Sequence, residues 1–222
     1  MKILRPLDRA VVPAVLGFVL ACLAWGPARA DEEPKTTAKY PKTVLIIRHA
    51  EKTGDKEDIH LSEQGKQRAE MLYQLFEPSK DRPNPFPKPD FIFAAAHHKD
   101  SQRPLETITP CATKWKMSIN NLFDSKLPPP DADKKNAKLN MYNLRDEIFG
   151  DSTYFGKTIL ICWRHSTLPE LAKTFKATKV PEKWDDNVFD RVWLISYNDE
   201  GAAKFEDLPQ RLMKGDSEKK EN

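Results

Sequence analysis

The chain has 222 residues, 39% of them hydrophobic and 31% charged, which suits one domain with a substantial core, or at most two small ones, under a wet surface. Its net charge of +3 equals that of residues 1–30, where Lys2, Arg5, Arg9 and Arg29 stand against Asp8. The remainder is therefore near neutral, which removes any electrostatic case for binding nucleic acid.

Residues 1–30 read as a cleaved secretory signal. A basic start is followed by an apolar stretch over 11–23, interrupted by Pro13, and by Ala28-Arg29-Ala30 ahead of the acidic Asp31-Glu32-Glu33. The apolar run is short for a membrane span. The alternatives are an uncleaved anchor, or a lipoprotein held through Cys22 after Val19-Leu20-Ala21. Export to a periplasmic or extracellular space, with no membrane attachment after cleavage, is the expectation. Residues 31–41 are polar and form a flexible leader.

The first strand is expected at 43–48, where Val44-Leu45-Ile46-Ile47 is a continuous apolar run. Arg48 and His49 break the pattern at its C-terminal end. Residues 52–60 read as a charged loop. A helix follows Ser62, a good N-cap, with Ala69, Leu72, Leu75 and Phe76 at helical spacing. Residues 78–89 are proline-rich and form a loop. A second strand is expected at 90–96 and a helix from Ser101 through Trp115. Leu127 to Asp133 contains three consecutive prolines and is another loop. A helix over 139–149, a third strand over 157–163, a helix over 169–178 and a last strand over 191–197 complete the pattern. The alternation predicts an α/β three-layer sandwich, a mostly parallel central sheet with helices on both faces. The domain is placed at 42–206, with a polar C-terminal tail over 207–222, of which 214–222 is charged and expected to be disordered. Cys111 and Cys162 either pair in an oxidising compartment or are separately buried thiols, and neither has zinc-like spacing to a histidine.

Chemistry gathers at the strand ends. The first strand delivers Arg48 and His49, the second is followed by His97, His98 and then Arg103, and the third delivers Arg164 and His165. In a parallel sheet these ends share one edge, where ligands collect. The planar fork of arginine matches phosphate oxygens and stays charged. Helix N-termini near Ser101 and Pro169 add backbone donors. Two imidazoles and two or three guanidiniums suit phosphate better than a metal, and no metal or cofactor is expected. Taken singly, each could be an ordinary surface or core residue; as a set at three strand ends they point to one crevice.

These segments resemble the histidine phosphatase superfamily, the phosphoglycerate-mutase-like fold, and in particular its short bacterial members with an Arg-His-Ala-Glu-Lys signature. The matching pieces are Leu45-Ile46-Ile47-Arg48-His49-Ala50-Glu51-Lys52, Leu61-Ser62-Glu63-Gln64-Gly65-Lys66-Gln67-Arg68-Ala69, Arg103-Pro104-Leu105-Glu106-Thr107 and His165-Ser166-Thr167-Leu168-Pro169-Glu170-Leu171, in the family's order. The resemblance implies that His49 is the nucleophile and forms a phosphohistidine. It implies that Arg48 and Arg103 grip the phosphate oxygens and that His165 completes the pocket. The implied activity is metal-independent hydrolysis of phosphomonoesters, with a small phosphorylated substrate or inorganic phosphate as the partner. A catalytically weak phosphate-binding or interaction module and a phosphomutase are the alternatives.

The sequence departs from the family pattern in three places. Arg164 stands where glycine usually precedes the second histidine, and it could crowd the pocket, add a phosphate contact or point away. The segment after His165-Ser166 is one residue shorter than in many relatives. Pro104 stands where alanine is common. For the general acid that many family members use, Asp124 and Glu147 are the candidates by position. Glu51 and Lys52 are read as shaping the pocket rim, His97 and His98 as an exposed loop pair, and His60 as a surface residue.

Overall fold

The computed structural model describes residues 38–97, 99–128 and 139–218. The expected signal over 1–30, the leader as far as residue 37, His98, most of the triple-proline loop and residues 219–222 lie outside the described residues. Among the described residues six strands form one sheet. They are β1 (Thr43–Arg48), β2 (Phe91–Ala94), β3 (Ile119–Asn120), β4 (Thr158–Trp163), β5 (Arg191–Tyr197) and β6 (Ala203–Pro209), in the spatial order β3-β2-β4-β1-β5-β6. β1 and β2 both run parallel to β4, and β3 runs parallel to β2. β5 is antiparallel to β1, and β6 antiparallel to β5. The C-terminal ends of β1, β2 and β4 therefore lie along one edge of the sheet.

The central strands are apolar throughout because both of their faces are covered. All six residues of β1 and all six of β4 are buried. Alternation along β1 splits the core into two layers. Val44 and Ile46 pack with Met141, Leu144 and Ile148 of α3 (Met141–Gly150) and with Leu168 and Leu171 of α4 (Leu168–Thr174). Leu45 and Ile47 pack on the opposite face with Ile108, Cys111 and Ala112 of α2 (Arg103–Trp115) and with Leu72 and Leu75, in the 3-10 turn that continues α1 (Glu63–Met71). The result is the expected three-layer α/β arrangement. Cys111 and Cys162 lie in this second layer as free, buried thiols. Burial pushes the Cys111 thiol up to about 12 and Cys162 higher still, so both are poor nucleophiles.

α1 begins as its sequence predicts. The Ser62 hydroxyl accepts from the Gly65 amide at 3.1 Å and donates to the Glu51 carbonyl at 3.2 Å, seating the helix on the segment that leaves β1. Gly65 is required by that approach, since a Cβ there would meet the Glu51 carbonyl oxygen at 2.3 Å.

Several boundaries differ from the sequence reading. α2 starts at Arg103, two residues late, because the buried Ser101 accepts from the Arg103 amide ahead of the first turn. α4 ends at Thr174, and Lys176 takes a left-handed φ of 64°. Two edge strands escaped notice. β3 has only two residues, and β6 (Ala-Lys-Phe-Glu-Asp-Leu-Pro) carries the charge and terminal proline typical of an exposed edge. Strand pairing thus runs to Pro209, beyond the expected domain limit at 206. The segment after it is also anchored through Asp216, which joins residues 207–218 to the domain and corrects the reading of 214–218 as disordered.

That anchor is a buried ion cluster. Arg68 on α1 is 3% exposed. Its Nε and Nη2 donate to the Glu51 carboxylate at 2.7–3.0 Å, while Nη1 and Nη2 donate to Asp216 at 2.9 and 2.8 Å. Nη1 also reaches Gln210 Oε1 at 3.2 Å. One guanidinium joins the loop after β1, a helix and the segment after β6. Removing it strands two carboxylates inside the protein, so Arg68→Met should lower the unfolding free energy by about 3–5 kcal/mol in urea titrations. A loss below about 1 kcal/mol would show that the cluster is dispensable.

Candidate active site

His49 follows β1 directly, and its amide donates to the Trp163 carbonyl of β4 at 3.0 Å. The ring is 3% exposed. Nδ1 lies 2.7 Å from the Ala50 carbonyl, which can only accept, so Nδ1 carries the proton and Nε2 keeps its lone pair. Burial, then the charges of Arg48 and Arg103, hold the ring well below the ordinary imidazole range. His49 is therefore a neutral imidazole with a defined tautomer. The next amide, Ala50, donates to the Thr107 hydroxyl at 2.8 Å, and that hydroxyl donates to the Arg103 carbonyl at 2.8 Å. Thr107 thus fixes the turn of His49 to the helix that carries Arg103.

Arg48 is 1% exposed. Its Nη1 donates to the carbonyls of Asp185, Asp186 and Val188 at 3.1, 2.9 and 2.9 Å. Its carbon centre lies 3.8 Å from the centroid of the Phe189 ring. Nε and Nη2, the two donors of the opposite, fork-like edge, are buried and have no partner in the protein. Burial pulls this guanidinium down to about 10, against the opposing pull of Asp186, so it remains charged at neutral pH. Arg103 sits in the first turn of α2. Its Nη1 donates to the Asp58 carbonyl at 2.5 Å and its Nη2 to the Asp100 carbonyl at 3.5 Å, while Nε is buried and unpartnered.

His165 opens a 3-10 turn (His165–Thr167) at the end of β4. The turn is pinned by Thr167, which accepts from Trp163 Nε1 at 3.2 Å and donates to the Ser125 carbonyl at 2.8 Å. The rings of His49 and His165 lie 6.4 Å apart, centroid to centroid, at 77°. His165 Nε2 is 3.3 Å from Asp186 Oδ1, and Nδ1 is buried without a partner. Burial first, then Arg48, lowers its pKa to about 4, with Asp186 pulling the other way.

The structure thus brings Arg48, His49, Arg103 and His165 to one place. Asp124 and Glu147 share no hydrogen bond or ion pair with any of the four. Asp124 caps the Lys126 amide, and Glu147 accepts from the Tyr154 hydroxyl at 2.8 Å. His97 is exposed. His60 is exposed and paired with Glu106. Glu51 serves Arg68 rather than the rim. Sequence reasoning missed the segment 185–189, whose carbonyls, Asp186 carboxylate and Phe189 ring contact Arg48, His49 or His165. The available signal was its position just before β5. Because β5 runs antiparallel to β1, pairing Val192 with Ile47, its approach arrives at the same sheet edge. Among the described residues no cluster of three or more His, Cys, Asp or Glu could hold a metal ion.

No family model and no curated protein matches the sequence. Solved structures are similar in fold at low identity. One, from Agrobacterium tumefaciens, is described as a putative phosphohistidine phosphatase, SixA, with 15% identity, 76% of this chain and 98% of that one covered, and a TM-score of 0.49. Phosphoglycerate mutase from Bacillus anthracis has 15% identity, covers 78% and 94%, and scores 0.48. Alpha-ribazole phosphatase from Shigella flexneri has 13% identity, covers 77% and 98%, and scores 0.48.

The depressed histidine sets a pH dependence. Unfolded, His165 takes up a proton near pH 6.5; folded, it does so only near 4. Its contribution is complete above pH 6.5 and is lost as the pH falls toward 4. Urea midpoints should fall between pH 7 and pH 5, and His165→Gln should recover about 1–2 kcal/mol of that fall, allowing for the quarter of the side chain left in water. Identical slopes in both proteins would refute the assignment.

Proposed function

We propose that this chain is an exported member of the histidine phosphatase superfamily that hydrolyses phosphomonoesters through a phosphohistidine on His49, without a metal. The observation that carries this reading is a set of buried polar nitrogens without protein partners. Nε and Nη2 of Arg48, Nε of Arg103 and Nδ1 of His165 are all buried, all unpaired, and all beside an imidazole whose free lone pair is on Nε2. Buried polar groups are normally satisfied. A tetrahedral dianion accepts from several such donors at once and matches the fork of arginine.

The chemistry follows from these groups. Nε2 of His49 forms a bond to phosphorus as the ester P–O bond breaks, and the leaving oxygen departs with a proton. Water then attacks the phosphohistidine, phosphate is released and the neutral imidazole returns. Positioning and charge neutralisation supply most of the rate in such transfers. The leaving-group proton is assigned to His165. In the free site it is neutral, but a dianion beside Nδ1 and the Asp186 carboxylate beside Nε2 both favour the imidazolium. Its Nδ1–H then faces the substrate and is replenished from water. Export rests on the N-terminal pattern of the sequence alone.

The protein purified from residue 31 onward should hydrolyse p-nitrophenyl phosphate in the presence of a chelator. His49→Ala should reduce kcat/KM by about a thousandfold or more. An alkaline denaturing quench during turnover should trap phosphate on the wild-type protein, released on later acidification, and none on the variant. Tight vanadate binding without turnover of any ester would replace the enzyme with a phosphate-binding module.

A further inference from the structure

Arg164 lies between β4 and the turn that carries His165, with extended backbone angles of φ −93° and ψ 133°. It is half-buried, yet its guanidinium makes no hydrogen bond or ion pair with the described residues. Its charge nevertheless reaches the site. Among the charges acting on Arg103, Arg164 is the largest, and it also bears on His165. The exposed ammonium of Lys52, likewise without a partner among the described residues, bears on His165 too.

The carboxylates around this region are committed elsewhere. Asp186 faces His165, Glu51 is held by Arg68, and Glu106 accepts from the Leu61 amide and His60. Asp58 caps the His60 amide and accepts from the Thr53 hydroxyl, and Asp100 pairs with Lys126 at 3.1 Å. A single phosphate dianion offsets Arg48 and Arg103 and leaves two cations over. A half-buried guanidinium with no counter-charge, near enough to Arg103 to act on it, is electrostatically unfavourable unless an anion joins it.

Given a phosphate held by Arg48 and Arg103, we propose that Arg164, aided by Lys52 at the rim, binds a second anionic group on the same substrate, making this a site for phosphomonoesters that bear a carboxylate or second phosphate a few bonds from the scissile ester. Arg164 is then the specificity-determining residue. His49 and its partners do the chemistry, while Arg164 selects which phosphate esters stay long enough to react.

A matched pair of ligands tests this. Phosphoglycolate and ethyl phosphate share the phosphate ester and differ by one carboxylate. Dissociation constants measured by calorimetry should favour phosphoglycolate by about tenfold or more (about 1.4 kcal/mol). In Arg164→Met the ratio should fall to about twofold or less, and Arg164→Lys should keep part of it. Ethyl phosphate reports whether each variant still folds and holds a phosphate. A general electrostatic loss weakens both ligands and leaves the ratio intact, which would overturn the proposal. So would equal affinities in the wild-type protein, or no binding of either ligand. Turnover is not needed for this readout. Failure of catalysis therefore removes the phosphatase reading alone, while an unchanged ratio removes only the role of Arg164.

Discussion

The site depends on a guanidinium buried at the end of the central strand. Arg48 is almost fully removed from water, a costly position for a charge. Three backbone carbonyls hold one amino group, an aromatic ring covers one face, and the remaining fork is left with donors and no acceptor. The carbonyls come from a segment more than 130 residues away in sequence. Folding therefore aims this cation before any ligand arrives.

The surrounding architecture serves that alignment. Parallel pairing of β1 and β2 with β4 places three strand ends on one edge, where His49, His165 and Arg103 come near one another. Thr107 ties the turn of His49 to the helix bearing Arg103 through one hydroxyl that both donates and accepts. Arg68 ties the same turn to α1 and to the segment after β6. Small shifts in either tie would be felt at the imidazole, since cores transmit displacement rather than absorb it.

Charge balance accounts for the protonation states. Burial and neighbouring cations keep both imidazoles neutral in the free protein, which suits a nucleophile. Asp186 opposes that effect at His165 alone, so the two rings respond differently when a dianion enters. Environment, rather than residue type, thus separates the two imidazoles.

Much of this was legible in the chain. The runs that became β1, β4 and β5 are apolar enough to declare buried strands, Ser62 announces α1, and the Arg-His pairs stand out because they interrupt apolar runs. Local pattern carries such information because strand burial and helix capping depend on near neighbours. The edge strands were not legible, since β3 is too short and β6 too polar to differ from loop. The antiparallel direction of β5 was not legible either, and with it the contact of residues 185–189 with Arg48. What the sequence determined was which arginines and histidines stand at the strand ends. Which carbonyls hold Arg48, which carboxylate faces His165 and which arginine is left without a partner were decided only when distant segments packed, because hydrogen bonds and charge pairs depend on distance through space rather than along the chain.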